Sequence, residues 1–176
     1  DFSGGGILLD QGIHMLDLFH YFMGKFKDVK SYLSNSHWSF DVEDNAVVIL
    51  KNANNQLATL HSSATFWKHM FQINITLDNG YISIDGLLSK SGSYGRETLK
   101  VGRRKFEDES DAVGNPSEEI IYFDKDSSWD IELENFIDCI ANNHSVDYSN
   151  SEDAYNVMKV IEKCYKDSDL KSYYNR

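Results

Sequence analysis

Asp10, His14 and Asp17 are the residues whose types and spacing suit proton transfer. They stand in Gly4-Gly5-Gly6-Ile7-Leu8-Leu9-Asp10-Gln11-Gly12-Ile13-His14-Met15-Leu16-Asp17, which opens on three glycines and runs on, rich in apolar residues, to Phe22-Met23-Gly24. A helix turns by about 100° per residue, which brings the three polar side chains within roughly 60° of one another. A carboxylate one turn from an imidazole can orient the ring or raise its basicity, and histidine titrates near neutral pH. Asp10 and His14 are therefore a candidate acid–base pair. Asp17 shares their face and reads as a local hydrogen-bond partner. Leu9, Ile13, Met15, Leu16, Leu18, Phe19 and Phe22 are expected to bury the remainder of the helix, and Gly24 to stop it.

The rest of the chain must hold that helix. Val29–Leu33 and Asn45–Leu50 read as strands, the second well buried and rich in β-branched residues. Asn52, Asn54 and Asn55 supply a turn, and Leu57–Ser63 returns as the hairpin partner. Phe71–Leu77 alternates apolar and polar residues along its whole length. Asp78-Asn79-Gly80 follows as a type I′ hairpin signal, and Tyr81–Asp85 is the return strand. Thr98–Gly102 and Glu118–Phe123 give further strands, on either side of a charged loop from Arg103 to Glu119 that contains the single proline, Pro116.

Trp129–Asn142 has Ile131, Leu133, Phe136, Ile137 and Ile140 at helical spacing. Ser151 is the expected N-cap of a last helix, Glu152–Lys166, with Ala154, Val157, Met158, Ile161 and Cys164 or Tyr165 inward. The order predicts an α+β fold: an open, mainly antiparallel sheet with helices packed on one face and the other face free to pair with a second copy.

With 176 residues the chain suits one domain, and its 41% apolar and 13% aromatic content argues for a folded core. A net charge of −11 opposes binding to nucleic acid or to an anionic membrane surface. The basic run Arg103-Arg104-Lys105 is answered at once by Glu107-Asp108-Glu109 and reads as a solvated loop. No stretch of about 18 apolar residues is present, and no signal peptide is visible. Cys139 and Cys164 lie among apolar neighbours in helix-like stretches, the pattern of reduced, buried thiols in a cytoplasmic protein. Neither has a partner at zinc-site spacing, and no metal is expected.

The pattern GGGxxxDxGxHxxD resembles the first helix of the C-terminal domain in the glucose–fructose oxidoreductase/inositol dehydrogenase (Gfo/Idh/MocA) family. Later landmarks arrive in the family's order: Asp44 and Ala46 within Glu43-Asp44-Asn45-Ala46, the Asn79-Gly80 hairpin, Trp129–Phe136, and Ser151-Glu152-Asp153-Ala154 before an apolar helix ending in Lys166-Asp167-Ser168. The resemblance covers nearly the whole chain. It implies a single substrate-binding and oligomerisation domain over residues 1–176, separated from an N-terminal Rossmann domain. The glycine fingerprint of a Rossmann domain, GxGxxG after a strand, and a Lys-Pro pair are both missing here.

By the same resemblance, the intact enzyme moves a hydride between NAD or NADP and a hydroxyl-bearing carbon of a sugar, polyol or sugar nucleotide. His14 exchanges the hydroxyl proton, and Asp10 orients His14 and hydrogen-bonds the substrate. Gly5 and Gly6 let the backbone approach the cofactor, or else make a tight helix entry.

Trp67, His69, Tyr94 and Arg96 lie in polar-aromatic segments beside strands and are secondary candidates for a substrate pocket. An arginine fork beside Tyr94 suits a phosphate or carboxylate. Two other readings compete with the dehydrogenase. One is a non-catalytic binding or oligomerisation module. The other is a metal hydrolase ligated by Asp10 and His14, for which the third ligand, His61 or His69, cannot be placed from sequence.

Overall fold

The computed structural model describes residues 4–103, 116–146, 149–168 and 170. The chain forms two compact units, Asp1–Thr65 with Ser145–Arg176, and Phe66–His144. Among the described residues there are seven strands in two antiparallel sheets and three helices, the mixed α and β architecture expected, with the strands divided into sheets of three and four.

In the first unit a π-turn, Leu8–Gly12, runs directly into helix α1, Ile13–Met23. Gly24 stops α1 in a positive-φ conformation (φ 71°), and its N–H is 2.8 Å from the His20 carbonyl. The sheet has the order β1 (Phe26–Ser34), β2 (Asn45–Asn52), β3 (Leu57–Ser63). Alternation decides which face of β2 is buried: Ala46, Val48 and Leu50 are fully enclosed, whereas Val47 and Ile49 point out. Asn52 ties off the β2–β3 turn, its Oδ1 accepting the N–H groups of Asn54 and Gln56 at 3.0 Å.

Helix α3, Ser151–Asp167, returns to this sheet and packs against β1 and α1. Leu8, Leu16, Phe26, Val48, Leu50, Leu60, Val157, Val160, Ile161, Cys164 and Tyr165 form one core. The cap of α3 is Asn150, one residue before the expected Ser151, in a capping box with Asp153. Ala154 and Met158, expected inward, are exposed, and Val160 takes the inward place, because the buried stripe lies toward the C-terminal half of the helix. That half is held by polar contacts. Ser31 Oγ donates to the Cys164 carbonyl at 2.6 Å, and the Asp167 carboxylate accepts from Ser31 N (2.8 Å) and Lys30 Nζ (2.7 Å). Tyr32, Val47, Ile49 and Leu57 are exposed on the outer face of this sheet.

The second unit is a meander of β4 (Gln72–Leu77), β5 (Gly80–Asp85), β6 (Glu97–Arg103) and β7 (Ser117–Phe123), followed by α2 (Ser128–Asn142). The hairpin after β4 has two turn residues, Asp78 and Asn79, between the paired Leu77 and Gly80. Neither takes a positive φ, so the turn is not the type I′ expected; Gly80 itself has φ 157°. The apolar side chains of α2, Ile131, Leu133, Phe136, Ile137 and Ile140, are all exposed. Cys164 is buried, and that burial pushes its thiol up to about 12. Cys139, expected buried, is only half-buried on α2. Of the charged loop expected from Arg103 to Glu119, residues 104–115 lie outside the described residues, whereas Arg103 ends β6 and Ser117 to Glu119 begin β7. Among the described residues no helix is long and apolar enough to cross a membrane.

Candidate active site

The entry to the first helix is built around Glu43, a carboxylate only 3% exposed. Its backbone carbonyl accepts the Ile7 N–H at 3.0 Å, and its Oε1 accepts the Leu8 N–H at 3.0 Å. The same Oε1 accepts the Tyr165 hydroxyl proton from α3 at 2.8 Å. Gly6 is the consequence: a Cβ there would sit 2.5 Å from Glu43 Cδ and nearer still to the Glu43 carbonyl oxygen. A Cβ on Gly5 would meet Leu9 Cδ2 at 2.6 Å and the Tyr165 hydroxyl at 3.1 Å. The fold itself therefore accounts for both glycines. Gly4, with φ +68° and open space around it, is the one that needs glycine for its backbone angle. Gly12 lets the helix approach β3, since a Cβ there would be 3.0 Å from Leu8 Cδ1 and 3.5 Å from Leu60 Cδ2.

That entry sets the polar strip. Leu8 and Leu16 go fully into the core, Leu9, Ile13, Met15 and Phe19 lie half-buried against it, and Phe22, expected to be buried, is exposed. Asp10 and His14 are exposed on the outer side, and Asp17 is half-buried. The helix is thus amphipathic, with its acid–base candidates open to solvent. Asp10 sits within the π-turn, a local widening of the helix that occurs often at functional sites. The Asp10 carboxylate accepts from Gln11 Nε2 at 3.0 Å. Among the described residues the His14 side chain makes no hydrogen bond or ion pair, so its ring nitrogens are open to a proton-donating partner.

Asp44, beside Glu43, anchors the rim that precedes β2. It is 3% exposed, and its carboxylate accepts the N–H groups of His37 (2.8 Å), Trp38 (3.0 Å) and Ser36 (3.2 Å to Oδ2) and Asn45 Nδ2 (2.9 Å). Burial alone would raise its pKa, but the Trp38, His37, Asn45 and Ser36 donors outweigh it and hold the group at about 2. Lowering the folded pKa from 3.8 to about 2 is worth about 2 kcal/mol, present above the unfolded value and lost as pH falls through about 2. Asp44→Asn is accordingly expected to lose about 2 kcal/mol in urea unfolding at pH 7, and the gap to wild type should close between pH 4 and about 2. A gap independent of pH would refute this account.

The secondary candidates all belong to the second unit. His69 and Tyr94 meet edge to face with ring centroids 5.1 Å apart, whereas Trp67 is fully exposed. Arg96 is not paired with Tyr94. Its Nε and a terminal nitrogen each donate to the Asp124 carboxylate at 2.8 Å, and its guanidinium lies 4.3 Å from the Tyr122 ring centroid. The Arg96 hydrogen bonds hold the Asp124 carboxyl below its usual range. An anionic ligand would have to compete with Asp124 for that fork.

Glu43 and Tyr165 were not singled out from sequence. The available signal was an acidic pair directly before a buried strand, since such groups stay there only when hydrogen-bonded. Among the described residues no cluster of three or more His, Cys, Asp or Glu could hold a metal ion.

This fold recurs in solved enzymes. UDP-N-acetylglucosamine 3-dehydrogenase GnnA from Acidithiobacillus ferrooxidans is 20% identical over 92% of this chain and 46% of its own, with a TM-score of 0.72. Levoglucosan dehydrogenase, solved with NADH and levoglucosan, is 19% identical over 94% of this chain and 48% of its own, with a TM-score of 0.74. Aldose-aldose oxidoreductase from Caulobacter crescentus, complexed with glycerol, is 20% identical over 94% and 46%, with a TM-score of 0.70. The chain thus spans about half the length of these structures. No curated protein matches it by sequence. Residues 1–83, which contain the π-turn, α1, the three-stranded sheet and the Glu43 entry, match the model of the GFO/IDH/MocA C-terminal domain family.

Proposed function

We propose that the chain is the substrate-binding and catalytic half of a cytoplasmic NAD(P)-dependent oxidoreductase acting on a hydroxyl of a sugar, polyol or sugar nucleotide. The observation that carries this reading is the placement of Asp10 and His14 together on the exposed side of a helix whose buried side is locked to the sheet. An accessible imidazole four residues along the helix from a carboxylate suits the proton transfer that accompanies oxidation of an alcohol. Levoglucosan dehydrogenase, a structural neighbour, was solved with NADH, which supports a nicotinamide cofactor.

In this reading His14 accepts the substrate hydroxyl proton at a ring nitrogen, or returns it in the reverse direction. Asp10 accepts a hydrogen bond from a second hydroxyl and exchanges its Gln11 contact for one to His14 when substrate is bound. The nicotinamide supplies the hydride step and is held mainly by a Rossmann domain outside this chain. Trp67, His69, Tyr94 and Arg96, all of the second unit, are secondary candidates for substrate binding. The outer sheet face around Tyr32, Val47, Ile49 and Leu57 is the surface through which copies pair into a dimer or larger oligomer. A non-catalytic module of the same fold would use that face alone.

The test is to express the chain with the coding sequence that flanks it and to analyse the denatured supernatant by mass for nicotinamide. Bound NAD or NADP together with sugar-dependent reduction supports the dehydrogenase. A flanked protein that binds no nicotinamide and still self-associates supports the module.

A further inference from the structure

We infer that Glu43 and Tyr165 are positioning residues that set the location of Asp10 and His14, an inference that rests on the function proposed above. Tyr165 is 5% exposed, so the bond from its hydroxyl to the Glu43 carboxylate is enclosed like the carboxylate itself. A carboxylate buried against an apolar core is a costly way to close a helix end, because an exposed Ser or Asp would do so without desolvation.

This bond adds reach. Glu43 lies 35 residues from Leu8 and 122 from Tyr165, so one oxygen joins the helix entry, the end of the β1–β2 connection and α3. Leu8 is two residues before Asp10 and six before His14, and its side chain is fully buried. Rotation or sliding of the helix at Leu8 would carry both polar groups with it. The Gly6 contact closes the remaining freedom, since the backbone there lies directly against Glu43. Proton transfer is sensitive to such placement: a shift of about 1 Å can cost about 10²-fold in rate. The clasp fixes the helix against both the sheet and α3, where packing of Leu8 and Leu16 alone would leave its axial position soft.

Tyr165→Phe removes one hydroxyl and keeps the ring that packs in the core. In the flanked, full-length protein it should lower kcat about tenfold with the nicotinamide KM unchanged, as expected for a small displacement of the acid–base pair. Glu43→Ala should lower kcat further. Glu43→Gln, which retains an acceptor oxygen for both donors, should restore kcat to within about threefold of wild type. A second readout is independent of turnover. The His14 ring resonances should shift in Tyr165→Phe, and the Leu8–Asp10 amides should exchange about tenfold faster while the β2 amides keep wild-type protection. Wild-type kcat in Tyr165→Phe together with unmoved His14 resonances overturns the inference, whatever happens to the melting temperature. Should the wild-type protein show no dehydrogenase activity, the functional reading fails separately, and the His14 resonances and amide exchange still decide whether the clasp positions the pair.

Discussion

His14→Ala in the flanked, full-length protein is expected to lower kcat for sugar-dependent reduction of nicotinamide by about 10²–10⁴-fold, the range for loss of a general acid or base. The argument begins with exposure. His14 lies on the outer side of α1, and the residues that anchor that helix are Leu8, Leu16, Gly6 and Gly12. Truncating it removes no core contact and no hydrogen bond among the described residues. Stability should therefore stay within about 0.5 kcal/mol of wild type, as for most surface substitutions. Bound nicotinamide, read by mass, should be retained. Added imidazole should restore part of the lost rate, a signature that a purely structural histidine would not show. Asp10→Asn should have a smaller effect on kcat, because the amide still accepts a hydrogen bond and only the charge beside His14 is lost. A full-length His14→Ala protein that turns over at the wild-type rate would remove the acid–base role altogether.

Local periodicity carried the legible part of the fold. The alternation in β2 announces a buried strand whichever partners flank it, and Gly24 ends α1 because its positive φ is a local property. The Asn-rich turn before β3 is local in the same way, since Asn52 Oδ1 accepts from residues two and four places on, although its Nδ2 also reaches the Met23 carbonyl at the end of α1. What escaped depends on partners far along the chain. Spacing of four residues suits an α-helix and a π-turn alike, so the widening at Leu8–Gly12 left no mark in the pattern. Arg96 looked available because its partner, Asp124, is 28 residues on. The stripe on α2 was visible, but hydrophobic spacing does not state what it faces, and its side chains are exposed. Glu43 is the clearest case. Its sequence neighbours suggest a strand boundary, and only the fold brings Leu8 and Tyr165 to its carboxylate. The motif glycines were legible as special positions, whereas the reason for each came from what lies against it.

Gly6→Ala separates the two roles open to those glycines, and it is expected to cost about 3 kcal/mol, at the upper end of overpacking penalties. The closest obstacle to a new Cβ is the backbone carbonyl oxygen of Glu43, with the Glu43 carboxyl carbon 2.5 Å away. That carbonyl already accepts the Ile7 N–H at 3.0 Å, so it cannot retreat without breaking the bond that opens the helix. Trimming the neighbour does not help: Glu43→Ala in the Gly6→Ala background removes the carboxyl contact but leaves the carbonyl in place. The double variant should therefore stay destabilised, and it additionally leaves Leu8 N and the Tyr165 hydroxyl without their acceptor. Gly4→Ala is the control. It meets nothing within 4 Å, and its left-handed backbone should cost only about 1 kcal/mol. Urea unfolding of the three variants reads these differences directly. If Gly6 instead serves as the close approach for a nicotinamide, Gly6→Ala would unfold at the wild-type urea concentration and lose bound cofactor. Unchanged unfolding would sink the packing account, and a large loss of stability would place the glycine in the helix entry rather than in the cofactor site.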